Sequence, residues 1–340
     1  MRSAERRLPR TLRAALGSAT RRLEQARVSF GHGTTNARDE AAWLLLHALG
    51  LPLSELTPHL DRVLNADEAG RAMALVEERI RTRTPAAYLT RQGWLGEHSF
   101  YVDERVIVPR SYIAEVLRNG LPLRPARDAA VHSALDLCTG SGCLAVLLAL
   151  AFPRARIDAA DISKEALEVA RRNIADYRLM ARVKLVRSNL YDALKRRRYD
   201  LIVSNPPYVS DAAMRSLPAE YRREPALALA GGRDGLDLVR TIVAQAPVHL
   251  NDGGLLVVEV GHHRARVERA FPKLPLVWLE TSGGDDCVFA ITREALLAAP
   301  PRARSRRATR GGVLLPPPAA RSPARASGAA AARRRRSARA

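Results

Sequence analysis

Ala134-Leu135-Asp136-Leu137-Cys138-Thr139-Gly140-Ser141-Gly142, running directly into the apolar stretch Cys143–Phe152, reads as a strand, a glycine turn and a helix. A strand followed at once by a helix implies parallel pairing, because the chain must cross over before the next strand can lie alongside. The same rhythm continues outward. Arg156–Ala160 predicts a second strand, and Lys164–Tyr177 a helix with Ser163 as its N-cap. Short strands at Lys184–Arg187 and Leu201–Ser204, a helix over Leu236–Leu250 and a strand over Gly254–Val260 complete the pattern. The expected fold class is α/β, a mostly parallel sheet with helices on both faces. Ligands of such sheets lie at the carboxyl ends of the strands.

Upstream the period changes. Residues from about 8 to 85 read as helical: Leu12, Leu16 and Leu23 form an amphipathic stripe, Gly31-His32-Gly33 a turn, and Ala41–Leu49 an apolar run closed by Gly50. A further helix is expected around Glu68–Arg83. Ser99–Val102 and Arg105–Val108 flank Asp103-Glu104 and predict a β-hairpin. The expected division is a helical domain over 1–85, a hairpin linker over 86–120, the α/β domain over 121–296 and a tail over 297–340.

The chain of 340 residues carries a formal net charge of +20, and twelve Arg with no acidic residue fall between Pro301 and Ala340. Such an Arg-, Ala- and Pro-rich segment cannot bury enough apolar surface to offset its ordering entropy, so the tail is expected to be disordered. Its charge would suit contact with RNA phosphates. The three cysteines, Cys138, Cys143 and Cys287, are too few for a disulfide framework and lack zinc-ligand spacing, so no metal is expected. The longest apolar run, Cys143–Phe152, is far shorter than the ~20 residues of a membrane span. With no export signal visible, the expected location is the cytoplasm.

Two motifs fall at the strand ends. In the first, Gly140 and Gly142 permit a close backbone approach. Asp161 ends the next strand nineteen residues later, near the ~20 expected of an acid that binds ribose hydroxyls. The loop has neither the Gly-Lys-Ser/Thr of a nucleotide phosphate loop nor a third pyrophosphate-binding glycine. A nucleoside cofactor without phosphates, S-adenosylmethionine, fits better than NAD or ATP.

The second motif, Ser204-Asn205-Pro206-Pro207-Tyr208, follows the fourth strand. Two prolines fix the backbone and remove two N–H donors. Asn205 offers a donor and an acceptor, and Tyr208 a flat face. The set suits a planar nitrogen bearing hydrogens, either an amide or an exocyclic base amine. Hydrogen bonds to Asn205 and the Pro206 carbonyl would orient such a nitrogen for in-line methyl transfer without a strong base. Glu259 and the pair His262-His263 accordingly read as structural.

These residues resemble the HemK-type glutamine N-methyltransferases, and among them the branch that modifies large-subunit ribosomal protein three. The likeness runs from Phe30 to Arg293. It includes Phe30-Gly-His-Gly-Thr-Thr-Asn36, Pro85-Ala-Ala-Tyr-Leu-Thr90, Leu217-Pro-Ala-Glu-Tyr221, Glu224-Pro225 and Gly231-Gly-Arg-Asp-Gly-Leu236. Pro109-Arg110-Ser111 separates this branch from the release-factor enzymes, which are similar to one another in carrying Pro-Arg-Pro there. The resemblance implies a Rossmann-like S-adenosylmethionine-dependent methyltransferase domain behind a small helical domain that docks the protein substrate. It places Asp136, Thr139, Gly140 and Gly142 at the cofactor's methionine end, Asp161 at its ribose, and Asn189 near the adenine, where an acid is more usual. Asn205, Pro206, Pro207 and Tyr208 would hold the glutamine amide, with Arg110 either reaching the site or forming a surface salt bridge. The alternatives are release-factor methylation and adenine-N6 methylation of nucleic acid.

Overall fold

The computed structural model describes residues 8–121 and 131–298; the Arg-rich tail and its expected disorder lie outside them. The helices of the amino-terminal part start on side-chain caps. Thr11 caps Leu12–Gln25, Asn36 caps Ala37–Ala48, and Asn65 with Glu68 forms a reciprocal capping box on Ala66–Thr82. Their apolar faces, including Leu16, Leu44, Leu45 and Val76, share one core.

The hairpin lies earlier than its expected place. Strand β1 (Gln92–Leu95) pairs antiparallel with β2 (His98–Tyr101) around Gly96, whose φ of +62° suits a residue without a Cβ. Arg105–Val108 is not a strand. Asp103 Oδ1 accepts from the Arg105 backbone N–H, and the Val106 N–H closes a turn on the Asp103 carbonyl. Val102, Val106 and Val108 all bury into the helical core instead of pairing across a ladder.

Beyond the linker come β3 (Ser133–Leu137), β4 (Arg156–Asp161), β5 (Val183–Arg187), β6 (Tyr199–Ser204), β7 (Leu250–Glu259), β8 (Val277–Thr281) and β9 (Gly284–Thr292). They form one sheet in the order β5-β4-β3-β6-β7-β9-β8, the first five parallel and β9 antiparallel to both β7 and β8. Side chains alternate between the faces. Ala134, Leu201 and Val257 meet the Cys143–Ala151 helix, while Leu135, Ile202 and Val258 meet Asp237–His249. Ser163 caps the Lys164–Asp176 helix as expected, its hydroxyl accepting from the Ala166 N–H. The strand order turns back between β3 and β6, so the crevice at their carboxyl ends is the switch point where such sheets bind ligands.

Buried charges join the helical part to the sheet part. Arg79 is fully buried and contacts Glu40 at 2.8 Å and Glu220 at 3.4 Å; it also donates to the Ser29 carbonyl. Arg83 reaches the same Glu220 at 3.2 Å. Glu224, four residues on, accepts from the Val108 N–H and lies 3.6 Å from His32. The loop 217–225 is therefore held from the helical side.

Candidate active site

The turn after β3 is built on left-handed backbone: Cys138 at φ +65°, Gly140 at +54° and Gly142 at +78°. The two glycines serve different ends. A Cβ on Gly142 would meet that of Ala170 at 3.0 Å, so this glycine lets the Lys164–Asp176 helix approach the turn. A Cβ on Gly140 would meet nothing within 4 Å, and Gly140 faces a cavity of about 150 Å³. Asp161 holds the turn from β4: its Oδ2 accepts from the Gly140 N–H and its Oδ1 from the Ser163 N–H, each at 2.9 Å. Burial raises the pKa of this carboxyl against the pull of those backbone donors.

Gly140, Asp161, Asn189, Asn205 and Pro207 line that cavity together. Asp136, Thr139 and Gly142 do not line it; Thr139 and Gly142 belong to the turn itself, and Asp136 lies fully buried on β3 beneath it. Asp136 Oδ2 accepts from the Thr139 hydroxyl at 2.5 Å, while its buried Oδ1 has no hydrogen-bond partner among the described residues. Full burial pushes the Asp136 carboxyl up to about 7. Several lining residues escaped the sequence reading. Ile162 and Leu227 leave 40% and 52% of their surface exposed on its apolar walls, and Ile107 and Pro225 complete them. A large aliphatic directly after the strand-ending acid was the readable signal for Ile162.

A second, more open cavity of about 640 Å³ lies on the other side of the 205–208 turn, walled by Trp94, Arg110, Ser111, Tyr208 and Glu259. Asn205 faces the first cavity and Tyr208 the second, so the turn partitions them. Its position is fixed from below. Val209 bridges to Ala230, a Cβ on Gly231 would strike Tyr208 Cα at 2.7 Å, and one on Gly261 would strike the Tyr208 ring at 2.9 Å. Asn205 Nδ2 donates to the Arg110 carbonyl at 3.2 Å, while its Oδ1 and the Pro206 carbonyl accept no hydrogen bond among the described residues.

Arg110 forms no surface salt bridge. Its guanidinium grips the buried Glu224 through two bonds of 2.6 Å and lies over the Tyr221 ring, 5.6 Å from its centroid. Burial alone would lift the Glu224 carboxyl; Arg110 and His32 overcome it and hold it near about 2.

A glycine turn tied to a strand-ending acid at the switch point, opposite an Asn-Pro-Pro-Tyr partition, defines a methyltransferase site. Residues 116–220 match the methyltransferase small domain, and residues 14–90 match the PrmC N-terminal domain. The ribosomal protein uL3 glutamine methyltransferase of Bordetella pertussis is 54% identical over 286 residues, covering 84% of this chain and 96% of the relative. Those of Neisseria meningitidis serogroup B, at 53%, and Burkholderia pseudomallei, at 51%, cover 84% and 85% of this chain and 94% and 96% of their own. The chain belongs to the ribosomal protein uL3 glutamine methyltransferase family.

Proposed function

We propose that this protein transfers a methyl group from S-adenosylmethionine to the side-chain amide nitrogen of a glutamine in ribosomal protein uL3. The observation that carries the reading is the 205–208 turn standing between two cavities with unfilled acceptors at Asn205 Oδ1 and the Pro206 carbonyl.

The smaller cavity fits a nucleoside cofactor. Each Asp161 oxygen accepts one backbone N–H and keeps a lone pair for a ribose hydroxyl. Ile162 and Leu227 offer apolar faces to a purine, and the Asn189 amide, which makes no hydrogen bond among the described residues, can meet its edge. Asp136 and Thr139, bonded to each other through the Thr139 hydroxyl, brace the turn beside the cofactor's methionine end. Replacing Asp161 with Ala should weaken S-adenosylmethionine binding by roughly 10–100-fold, the usual cost of losing charge-assisted hydrogen bonds. Titration calorimetry checks this, and unchanged affinity would remove Asp161 from the site.

The chemistry supplied by bound S-adenosylmethionine is an electrophilic methyl group on a sulfonium sulfur. The chain's residues orient the nucleophile. Asn205 is held through its Nδ2 by the Arg110 carbonyl, which presents Oδ1 to one amide N–H while the Pro206 carbonyl takes the other. Those two bonds raise electron density on the nitrogen and fix its approach. Tyr208 packs against the flat amide, with Pro207 on the cofactor side of the turn and the Arg110–Glu224 pair bracing the wall. Transfer leaves a surplus proton on the nitrogen, which passes to solvent. Residues 1–85 would dock the protein substrate, 86–120 connect, and 121–296 carry the chemistry. A cytoplasmic site of action suits a ribosomal substrate, and among the described residues no helix is long and apolar enough to cross a membrane. The RNA contact proposed for the basic tail lies outside the described residues.

The test is label transfer from S-adenosylmethionine to uL3, to a peptide release factor and to an RNA/DNA mixture, offered separately. Label in uL3 alone is the expected result. Label in the release factor would keep the chemistry and change the substrate, whereas label in adenine would overturn the protein-amide reading.

A further inference from the structure

Glu259 ends β7 almost fully buried, yet the proposed transfer leaves it without a task. The register pairs Ser204 with Val258, which brings Glu259 level with Asn205 at the carboxyl edge of the sheet. Its Oε2 accepts from the Ser111 hydroxyl at 2.6 Å and from the Tyr112 N–H at 2.9 Å. Its Oε1 accepts no hydrogen bond among the described residues, although the side chain lines the larger cavity beside Tyr208. The Ile113 N–H also faces this carboxylate but donates to Ser111 Oγ at 3.2 Å, and the Arg110 guanidinium is committed to Glu224. Oε1 borders the cavity, and a ligand that brings a donor to it is bound the more tightly for it.

The three residues 110–112 connect the two ends. The Arg110 carbonyl holds Asn205, while Ser111 and Tyr112 hold Glu259. One short stretch of chain therefore sets the spacing between the proposed amide anchor and a free acceptor. We propose that Glu259 is a positioning residue for the polypeptide substrate, its Oε1 accepting a hydrogen bond from an N–H of the segment that carries the glutamine. The proposal rests on the reading that this site methylates a protein amide. It gives the site a second fixed point, so the substrate segment is held in register and not merely by its reacting side chain.

The groups facing Glu259 are Arg110 and Tyr112 from the linker, Tyr208 from the turn after β6 and Cys287 from β9, with His262 nearby on the cavity rim. Burial pushes the Glu259 carboxyl up to about 7, against the Ser111 hydroxyl, which favours the ionised form. Because Oε2 already accepts two donors, protonation places the hydrogen on the oxygen that faces the cavity, so substrate capture should strengthen as pH rises through about 7.

The experiment measures methylation of full-length uL3 by the full chain and by its Glu259→Gln and Ser111→Ala variants, between about pH 6 and 9. Glu259→Gln should raise KM for uL3 by roughly 10–100-fold with kcat and S-adenosylmethionine affinity nearly unchanged, and should flatten the rise through neutrality. Ser111→Ala, which retains the carboxylate, should move that rise to higher pH. Unchanged KM and an unchanged pH profile in both variants, with uL3 methylated normally, would overturn the role of Glu259 alone. Failure of the unmodified protein to methylate uL3 would instead overturn the acceptor reading beneath it.

Discussion

Asn205→Ala should lower kcat by roughly 10²–10³-fold while leaving S-adenosylmethionine affinity largely intact, the scale seen when one preorganised hydrogen-bonding group is removed from a reacting centre. Among the described residues the side chain makes a single hydrogen bond, Nδ2 to the Arg110 carbonyl. Losing such a bond costs stability only about 0.5–1.5 kcal/mol, too little to unfold the domain. The turn itself is fixed by the two prolines, by the Val209–Ala230 bridge and by close packing on Gly231 and Gly261. Loss of turnover should therefore come from the missing acceptor and not from collapse of the loop. Rapid-quench turnover beside calorimetric cofactor binding separates the two. Parallel loss of both would make Asn205 a fold residue.

Arg79→Ala should produce the largest loss of stability, about 3–5 kcal/mol near neutral pH, because it strands Glu40 in the interior and leaves Glu220 to Arg83 alone. Both carboxyl groups are almost fully buried, and the Ser29 carbonyl would also lose its donor. For a chain of this size that corresponds to a fall in Tm on the order of 10 °C, readable by calorimetry. The pH dependence follows from Glu40. Burial raises its pKa, with Arg79 the chief opposing influence, so removing Arg79 raises it further. A carboxyl with a raised folded-state pKa penalises the fold when ionised, and the penalty fades as pH falls through that value. The variant's deficit should shrink in mild acid. A deficit independent of pH would show that lost packing, not stranded charge, is responsible. Activity should fall as well, since Glu220 belongs to the loop whose continuation, Pro225 and Leu227, walls the smaller cavity.

Where the sequence could be read, short-range periodicity carried the reading. The strands and helices from Ala134 to Glu259 follow from apolar runs of distinct length separated by turns, and Ser163 declares its helix by standing just before it. The carboxyl-end location of Gly140, Asp161 and Asn205 follows from their places after strands. The hairpin differs from the sequence expectation because Val106 and Val108 look like a strand's alternate residues but bury against helices. The β8–β9 pair at the sheet edge was not foreseen, although Thr281 and Gly284 bracket its turn. Least legible were contacts between residues far apart in the chain. Arg79 meets Glu40 and Glu220 across 39 and 141 residues, and Arg110 meets Glu224 across 114. No local pattern announces such pairs, so a buried bidentate clamp at Arg110 was indistinguishable from a surface salt bridge.

The most direct measurement is peptide-level mass spectrometry of uL3 after incubation with this protein and S-adenosylmethionine, with fragmentation that assigns the modified atom. A single methyl on the side-chain amide of one glutamine, absent when Asn205→Ala replaces the unmodified enzyme, is the predicted result. A methyl on any other residue type, or one that persists with the Asn205 variant, would contradict the account.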